Sequence, residues 1–259
     1  MVRPLAEMNP PSDLLGVFCD IDDTLTIEGR LVPEVLTVMA RAQEQGLKIV
    51  PITGRPGGWV DHIARAWPVD GVVGENGGLW FWFDGDKLQR RFIQDEGTRR
   101  ENRGRLDRLS REILKNVPGT ALASDQPYRD LDLAIDFCED VPPLGDDSID
   151  AIVAAFEQAG ATAKVSSIHV NGWFGQFDKL EGVQRFHRDR FGTEIDFDRW
   201  AFFGDSANDE PMFRAFRHSI GVANVRDFLS RMAHHPTWIS TGSGGHGFIE
   251  GMQHLTGRP

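Results

Sequence analysis

Cysteine is scarce in this chain of 259 residues, with only Cys19 and Cys138. Two thiols cannot build a disulfide framework or a four-thiolate zinc site. Positive charge is in short supply as well. Lys and Arg total 28 against 39 Asp and Glu, a net charge of −11 with histidine neutral. Nucleic acid needs a basic surface, so it is not an expected partner. Long apolar runs are also missing. Residues 14–19 and 79–83 are strand-sized, well short of the roughly 18 residues that cross a bilayer, and no membrane association is expected. The first 13 residues hold no apolar core of a secretory signal, so a cytoplasmic location is the default expectation. What remains is 40% apolar and 26% charged residues, the profile of a globular chain.

Strand and helix signals alternate from Leu14 onward, after a proline-rich segment 1–12 that reads as a loose leader. An apolar run ends on Asp20, Asp22 and Asp23. A helix follows between Pro33 and Gly46, then a strand over Leu47–Ile52 that ends on Thr53. A second helix opens at Pro56, and a third strand, Asp70–Gly74, ends on Glu75-Asn76-Gly77. This order predicts a parallel sheet wound with helices, whose ligands bind beyond the carboxyl ends of the strands. The middle third differs. A hairpin is expected around Asp84-Gly85-Asp86 and an Arg-rich helix over about 96–116. Strands are expected over 120–124 and 130–137, and a helix over 147–159. A further strand over 162–170 continues through 167–173 back toward Lys179. The pattern of helix and strand then resumes, with a strand Trp200–Gly204 ending on Asp205. The expected architecture is α/β: a Rossmann-like parallel sheet core, residues 1–81 plus 176–259, with an inserted α+β cap domain over 82–175.

The acids sit where such a sheet would place its ligand. Asp20 and Asp22, at i and i+2 in extended chain, point to the same side about 7 Å apart. An acid-rich turn is the plain alternative. Three like charges beside an apolar strand repel unless a cation is present, and a hard ion such as Mg²⁺ suits oxygen ligands. Gly204-Asp205-Ser206-Ala207-Asn208-Asp209 would bring a second acidic cluster beside Asp20, and acids in the first turn of a helix fit the same residues. Thr53, Gly54 and Arg55 precede a helix and form either an anion site or a simple cap. Lys179 is one of only five lysines; an ammonium there could hold a phosphoryl group as a point charge.

Asp20-Ile21-Asp22-Asp23-Thr24, Thr53-Gly54-Arg55, Lys179 and Gly204–Asp209 resemble, in order, the four motifs of the haloacid dehalogenase superfamily. The resemblance spans residues 14–250. The insertion after Glu75-Asn76-Gly77-Gly78 is similar to the C2-capped branch, which includes sucrose-phosphate phosphatase, mannosyl-3-phosphoglycerate phosphatase and Cof-type sugar phosphatases. One departure stands out. Lys179 is followed by Leu180-Glu181-Gly182, where many relatives place a glycine directly after the lysine.

The resemblance implies Asp20 as nucleophile and metal ligand, and Asp22 as acid/base with its backbone carbonyl on the metal. Asp205 is implied as a further metal ligand, with Asp209 supporting the metal site. Thr53, Lys179 and Asn208 would meet the phosphoryl group. The implied activity is Mg²⁺-dependent hydrolysis of a small phosphorylated metabolite, a sugar phosphate by preference, through an aspartyl-phosphate. A phosphomutase on the same scaffold and a phospho-acceptor signalling module are the rivals. His169 and Asn171 alternate onto one face of the insert's last strand, either to meet the leaving group or to face water. Arg99, Arg100, Arg103, Arg105, Arg108 and Arg111 read as a solvated helix face rather than an anion guide. The G-x-G-x-x-G match at 242–247 reads as a flexible loop, since too little chain follows for a dinucleotide unit.

Overall fold

The computed structural model describes residues 2–166 and 168–257. Met1 and the first residue of the expected 167–173 strand, Ser167, lie outside the described residues. In chain order the elements begin with β1 (Arg3–Pro4), β2 (Gly16–Cys19), β3 (Thr26–Ile27), β4 (Arg30–Leu31), α1 (Pro33–Glu44) and β5 (Lys48–Pro51). Then come α2 (Gly57–Ala66), β6 (Val72–Gly74), β7 (Leu79–Asp84) and β8 (Lys87–Phe92). Next are α3 (Glu96–Asn116), β9 (Ala121–Leu122), β10 (Asp132–Asp136), α4 (Asp146–Gln158), β11 (Thr162–Val165) and β12 (His169–Trp173). The chain closes with α5 (Lys179–Phe191), β13 (Trp200–Gly204), α6 (Glu210–Ala215), β14 (His218–Gly221), β15 (Trp238–Ile239) and α7 (Gly244–Thr256).

Six strands form the expected parallel sheet, in the order β1-β15-β14-β13-β2-β5. Alternation along β2 explains its two-sided burial. Val17 and Cys19 pack with Met39 of α1 and Phe248 of α7, while Phe18 packs with Phe186 of α5 and Phe216. β6 touches the end of this sheet through one parallel bridge, Ile52 to Val73, and then pairs antiparallel with β7. The β7–β8 hairpin turns at Gly85 and leans on the same two layers: Phe81 joins one and Trp80 and Trp82 the other. The strands β11-β12-β10-β9 form a separate sheet, covered by α3 and α4 around Leu106, Ile135, Ile152 and Phe156.

Four local expectations need correction. Within the segment 1–12, the described residues 2–12 are not loose: Leu5 and Met8 are buried and β1 pairs with β15, so the apolar side chains tie them down. The expected strand 162–170 is two strands, because Ser166 makes a turn. Its Oγ accepts the N–H of His169 at 2.9 Å, and β11 doubles back on β12. The glycines at 244, 245 and 247 are not a flexible loop but the start of α7. A Cβ there would lie 2.2–2.7 Å from the backbone oxygens of Thr26, Leu25 and Gly242, so close packing demands glycine. Finally, α3 is not merely solvated. Arg103 donates to the carbonyls of Arg129 and Asp132, and Arg105 lies over the Phe174 ring.

The path into the insert is held tightly. Glu75, Asn76 and Gly77 all have left-handed backbone, with φ of 45°, 54° and 99°, a conformation costing a non-glycine residue roughly 1–2 kcal/mol. The Glu75 carboxylate fixes it by accepting N–H groups from Gly57, Asp130, Leu131 and Asp132. Gly77 approaches α5 so closely that a Cβ on Gly182 would sit 2.3 Å from the Gly77 Cα. This contact gives a reason for Gly182 three residues after Lys179. The strand leaving the insert is tied to the one entering it by a hydrogen bond from Gln94 Nε2 to the Phe174 carbonyl, at 2.5 Å.

Candidate active site

Parallel register brings the separated motifs together. Cys19 pairs with Phe203, and the Asp20 N–H donates to the Phe203 carbonyl at 2.9 Å, so Asp20 and Asp205 leave adjacent strand ends. Thr53 leaves the end of β5, next to β2. Lys179 opens α5 behind its N-cap Asp178.

Asp20, Asp205 and Asp209 are buried, and one carboxylate oxygen from each lies within 4.8 Å of the others. Two oxygens on one hard divalent cation need a comparable separation. The donor set therefore fits such an ion. Asp209 is the most committed of the three. Its Oδ1 accepts from Lys179 Nζ at 2.7 Å, and its Oδ2 accepts the N–H groups of Asp205 and Ser206. Gly204 makes room for this, since a Cβ there would lie 2.5 Å from Asp209 Oδ2. Lys179 Nζ also binds Asp20 Oδ1 and lies 3.5 Å from Asn208 Oδ1.

Burial pushes the Asp20 carboxyl well above the usual range, outweighing the pull of Lys179. Burial does the same to Asp205, reinforced by Asp20 and Asp209. Burial works against the Lys179 ammonium, yet the two aspartates raise its pKa. Carboxyls raised by burial and by one another are what a bound cation would relieve.

A cleft opens above these groups, lined by Asp20, Asp22, Gly54, Arg55 and, from residues 82–175, Arg129, Ser166, His169 and Asn171. Its wall also includes Ser206 and Asn208. His169 and Asn171 thus reach the same cavity as Asp20. Asn171 Nδ2 donates to Asp132 Oδ2 at 2.9 Å. His169 Nε2 lies 2.8 Å from Glu139 Oε2, close enough for an ion pair though out of line for a hydrogen bond. Thr53 is fully buried, and its Oγ1 accepts the Arg55 N–H at 3.0 Å. The Arg55 side chain grips acids instead. It binds Asp22, Asp125 of the insert and Glu139 of the insert, at 3.0, 3.4 and 3.0 Å. The neighbouring Arg129 pairs with Asp125 and Asp132 and donates to the Gly54 carbonyl.

Sequence reasoning missed Asn224. Its Nδ2 donates to Asp205 Oδ2 at 3.2 Å and to the Asp23 carbonyl at 3.0 Å, while its Oδ1 accepts the Gly244 N–H. A signal was available: Asn224 follows β14 at the same sheet edge as the other motifs. It also missed Asp125, Arg129, Asp132 and Glu139, which reach the site through Arg55, the Gly54 carbonyl, Asn171 and His169.

A parallel α/β sheet with carboxylates and a lysine gathered at its C-terminal edge defines an enzyme core. The chain belongs to the haloacid dehalogenase-like hydrolases: that family's model matches residues 17–98 and 156–244. No curated protein matches the sequence. Among solved structures, a Thermoplasma acidophilum protein is 20% identical and covers 94% of this chain and 98% of its own, with a TM-score of 0.73. The sucrose-phosphatase of Synechocystis sp., solved with sucrose and phosphate, is 15% identical, covers 94% and 98%, and has a TM-score of 0.66. A phosphatase of the haloacid dehalogenase superfamily from Bacteroides thetaiotaomicron is 17% identical, covers 97% and 99%, and has a TM-score of 0.65. These likenesses show a shared fold. Among the described residues, no helix is long and apolar enough to cross a membrane.

Proposed function

We propose that this hydrolase is a phosphatase that cleaves phosphate monoesters of a small metabolite, with a sugar phosphate as the favoured class. The observation that carries the reading is the convergence of buried Asp20, Asp205 and Asp209 with Lys179 beneath a cleft that Asp20 lines. The sucrose-phosphatase fold neighbour supports the choice of sugar.

Asp20 is the nucleophile. Its carboxylate attacks phosphorus, the ester oxygen departs, and an aspartyl-phosphate forms. Asp22 gives a proton to the departing alkoxide and later takes one from the water that cleaves the intermediate. Lys179, with Thr53, Gly54 and Asn208, steadies the transferred phosphoryl group. Mg²⁺ would be held by Asp20, Asp205 and the Asp22 carbonyl with Asp209 supporting them, and would supply charge neutralisation at the phosphoryl oxygens. The insert within 82–175 is the specificity unit, because His169 and Asn171 hang into the cleft from its sheet.

A panel of phosphorylated metabolites assayed for free phosphate, with and without Mg²⁺, tests this. Metal-dependent release from sugar phosphates is expected. Isomerisation without release would favour a mutase, and an aspartyl-phosphate lasting hours would favour a signalling module.

A further inference from the structure

We infer that the natural leaving group carries no negative charge of its own: the substrate is the phosphate monoester of a neutral or amine-bearing polyhydroxy alcohol. Esters whose alcohol bears a carboxylate or a second phosphate are turned away. The inference rests on the phosphatase reading above and adds the charge of the part that leaves.

The cations around the cleft are already committed. Lys179 binds Asp20 and Asp209. Arg55 binds Asp22, Asp125 and Glu139, and Arg129 binds Asp125 and Asp132. Two guanidiniums that line the cleft are therefore set against four carboxylates, of which Asp22 lines it with them. The polar groups that hang from the insert do not offset this. The Asn171 amide is turned to Asp132, and the His169 ring faces Glu139. Contact with His169 and Arg55 holds the Glu139 carboxyl down to about 2, so it is ionised at neutral pH.

The way out is acidic too. Past Ser166 and Ser206 the cleft adjoins a wider one. Ile149, Val165 and Phe228 give it an apolar floor, and Asp146 and Asp150 face a single cation, Arg231. A leaving group lying along this path meets carboxylates and hydroxyls that accept hydrogen bonds. Hydroxyl and ammonium groups satisfy them. A second anion would meet more carboxylates than cations, Arg231 being the one guanidinium on this path for which no ion pair forms among the described residues, and like-charge juxtaposition is an effective means of rejection.

The test compares three six-carbon esters as competitive inhibitors of p-nitrophenyl phosphate hydrolysis in Mg²⁺ at pH 7 and low salt. They are glucose 6-phosphate, glucosamine 6-phosphate and 6-phosphogluconate. The expected order places the inhibition constant of 6-phosphogluconate at least about tenfold above the other two, with glucosamine 6-phosphate the tightest. Glu139→Gln should narrow the gap by about threefold or more. Equal or tighter binding of 6-phosphogluconate overturns the inference while leaving the phosphatase reading intact. Loss of that tight binding in Arg231→Ala would then locate the anion seat. A gap unmoved by Glu139→Gln overturns the assignment to the acids around Arg55. Failure to hydrolyse p-nitrophenyl phosphate at all overturns both readings together.

Discussion

Arg55 clasps Asp22 from two nitrogens: Nε reaches both carboxylate oxygens at 3.1 and 3.2 Å, and Nη2 reaches Oδ1 at 3.0 Å. The same guanidinium holds Asp125 and Glu139 of the insert. The orientation of Asp22 is thereby linked to the position of the insert. Arg55→Lys keeps the charge and loses the fork. Turnover of an alkyl phosphate is expected to fall about 10–100-fold, because a misplaced acid donates poorly. Turnover of p-nitrophenyl phosphate, whose leaving group needs no proton, is expected to fall less than about threefold. Equal losses on both substrates would contradict this role.

Asp20→Asn replaces a buried carboxylate with a neutral group of the same shape. Phosphate release should drop below detection. The melting temperature should hold or rise, since burial already disfavours the Asp20 charge. Calorimetry and a p-nitrophenyl phosphate assay on one preparation check both halves.

Asn224→Ala removes the amide that steadies Asp205 and the 23–24 turn. Groups that orient metal ligands typically account for about 10–100-fold in metal affinity. The Mg²⁺ concentration for half-maximal activity should rise within that range, with activity recovered at saturating metal. An unchanged Mg²⁺ titration would remove Asn224 from the site.

The stability of the metal-free protein should depend on pH through Glu75. Burial, aided by the Asp132 charge, carries this carboxyl to about 7 from its usual 4.5, against the pull of backbone N–H groups and Arg129. The folded state then holds its proton more tightly than the unfolded chain does. The advantage is fully present below pH 4.5 and is lost as pH rises to about 7. Burial shifts Asp20 and Asp205 in the same direction. In chelator, the melting temperature should therefore be higher at pH 5 than at pH 8. A rise over that interval would show that Glu75 is ionised throughout.

The core was legible because its signals are local. β2, β5 and β13 are apolar runs buried on both faces, and each stops at the polar residues that matter. The helix over 96–116 and the hairpin at 84–87 carry their own caps and turns. Legibility ended where a role depends on a distant partner. Arg55 reads as a phosphate ligand beside Thr53, yet its side chain is claimed by acids 70 and 84 residues away. The turn at Ser166 was hidden because its neighbours are good strand formers and one hydroxyl decides the matter.

The bond between Gln94 and Phe174 brings the two ends of the segment 95–173 to nearly one point. A segment bounded this way can be transplanted. Exchanging it between two members of the family would disturb a single seam, and selectivity should travel with the donor segment while the chemistry stays with the recipient.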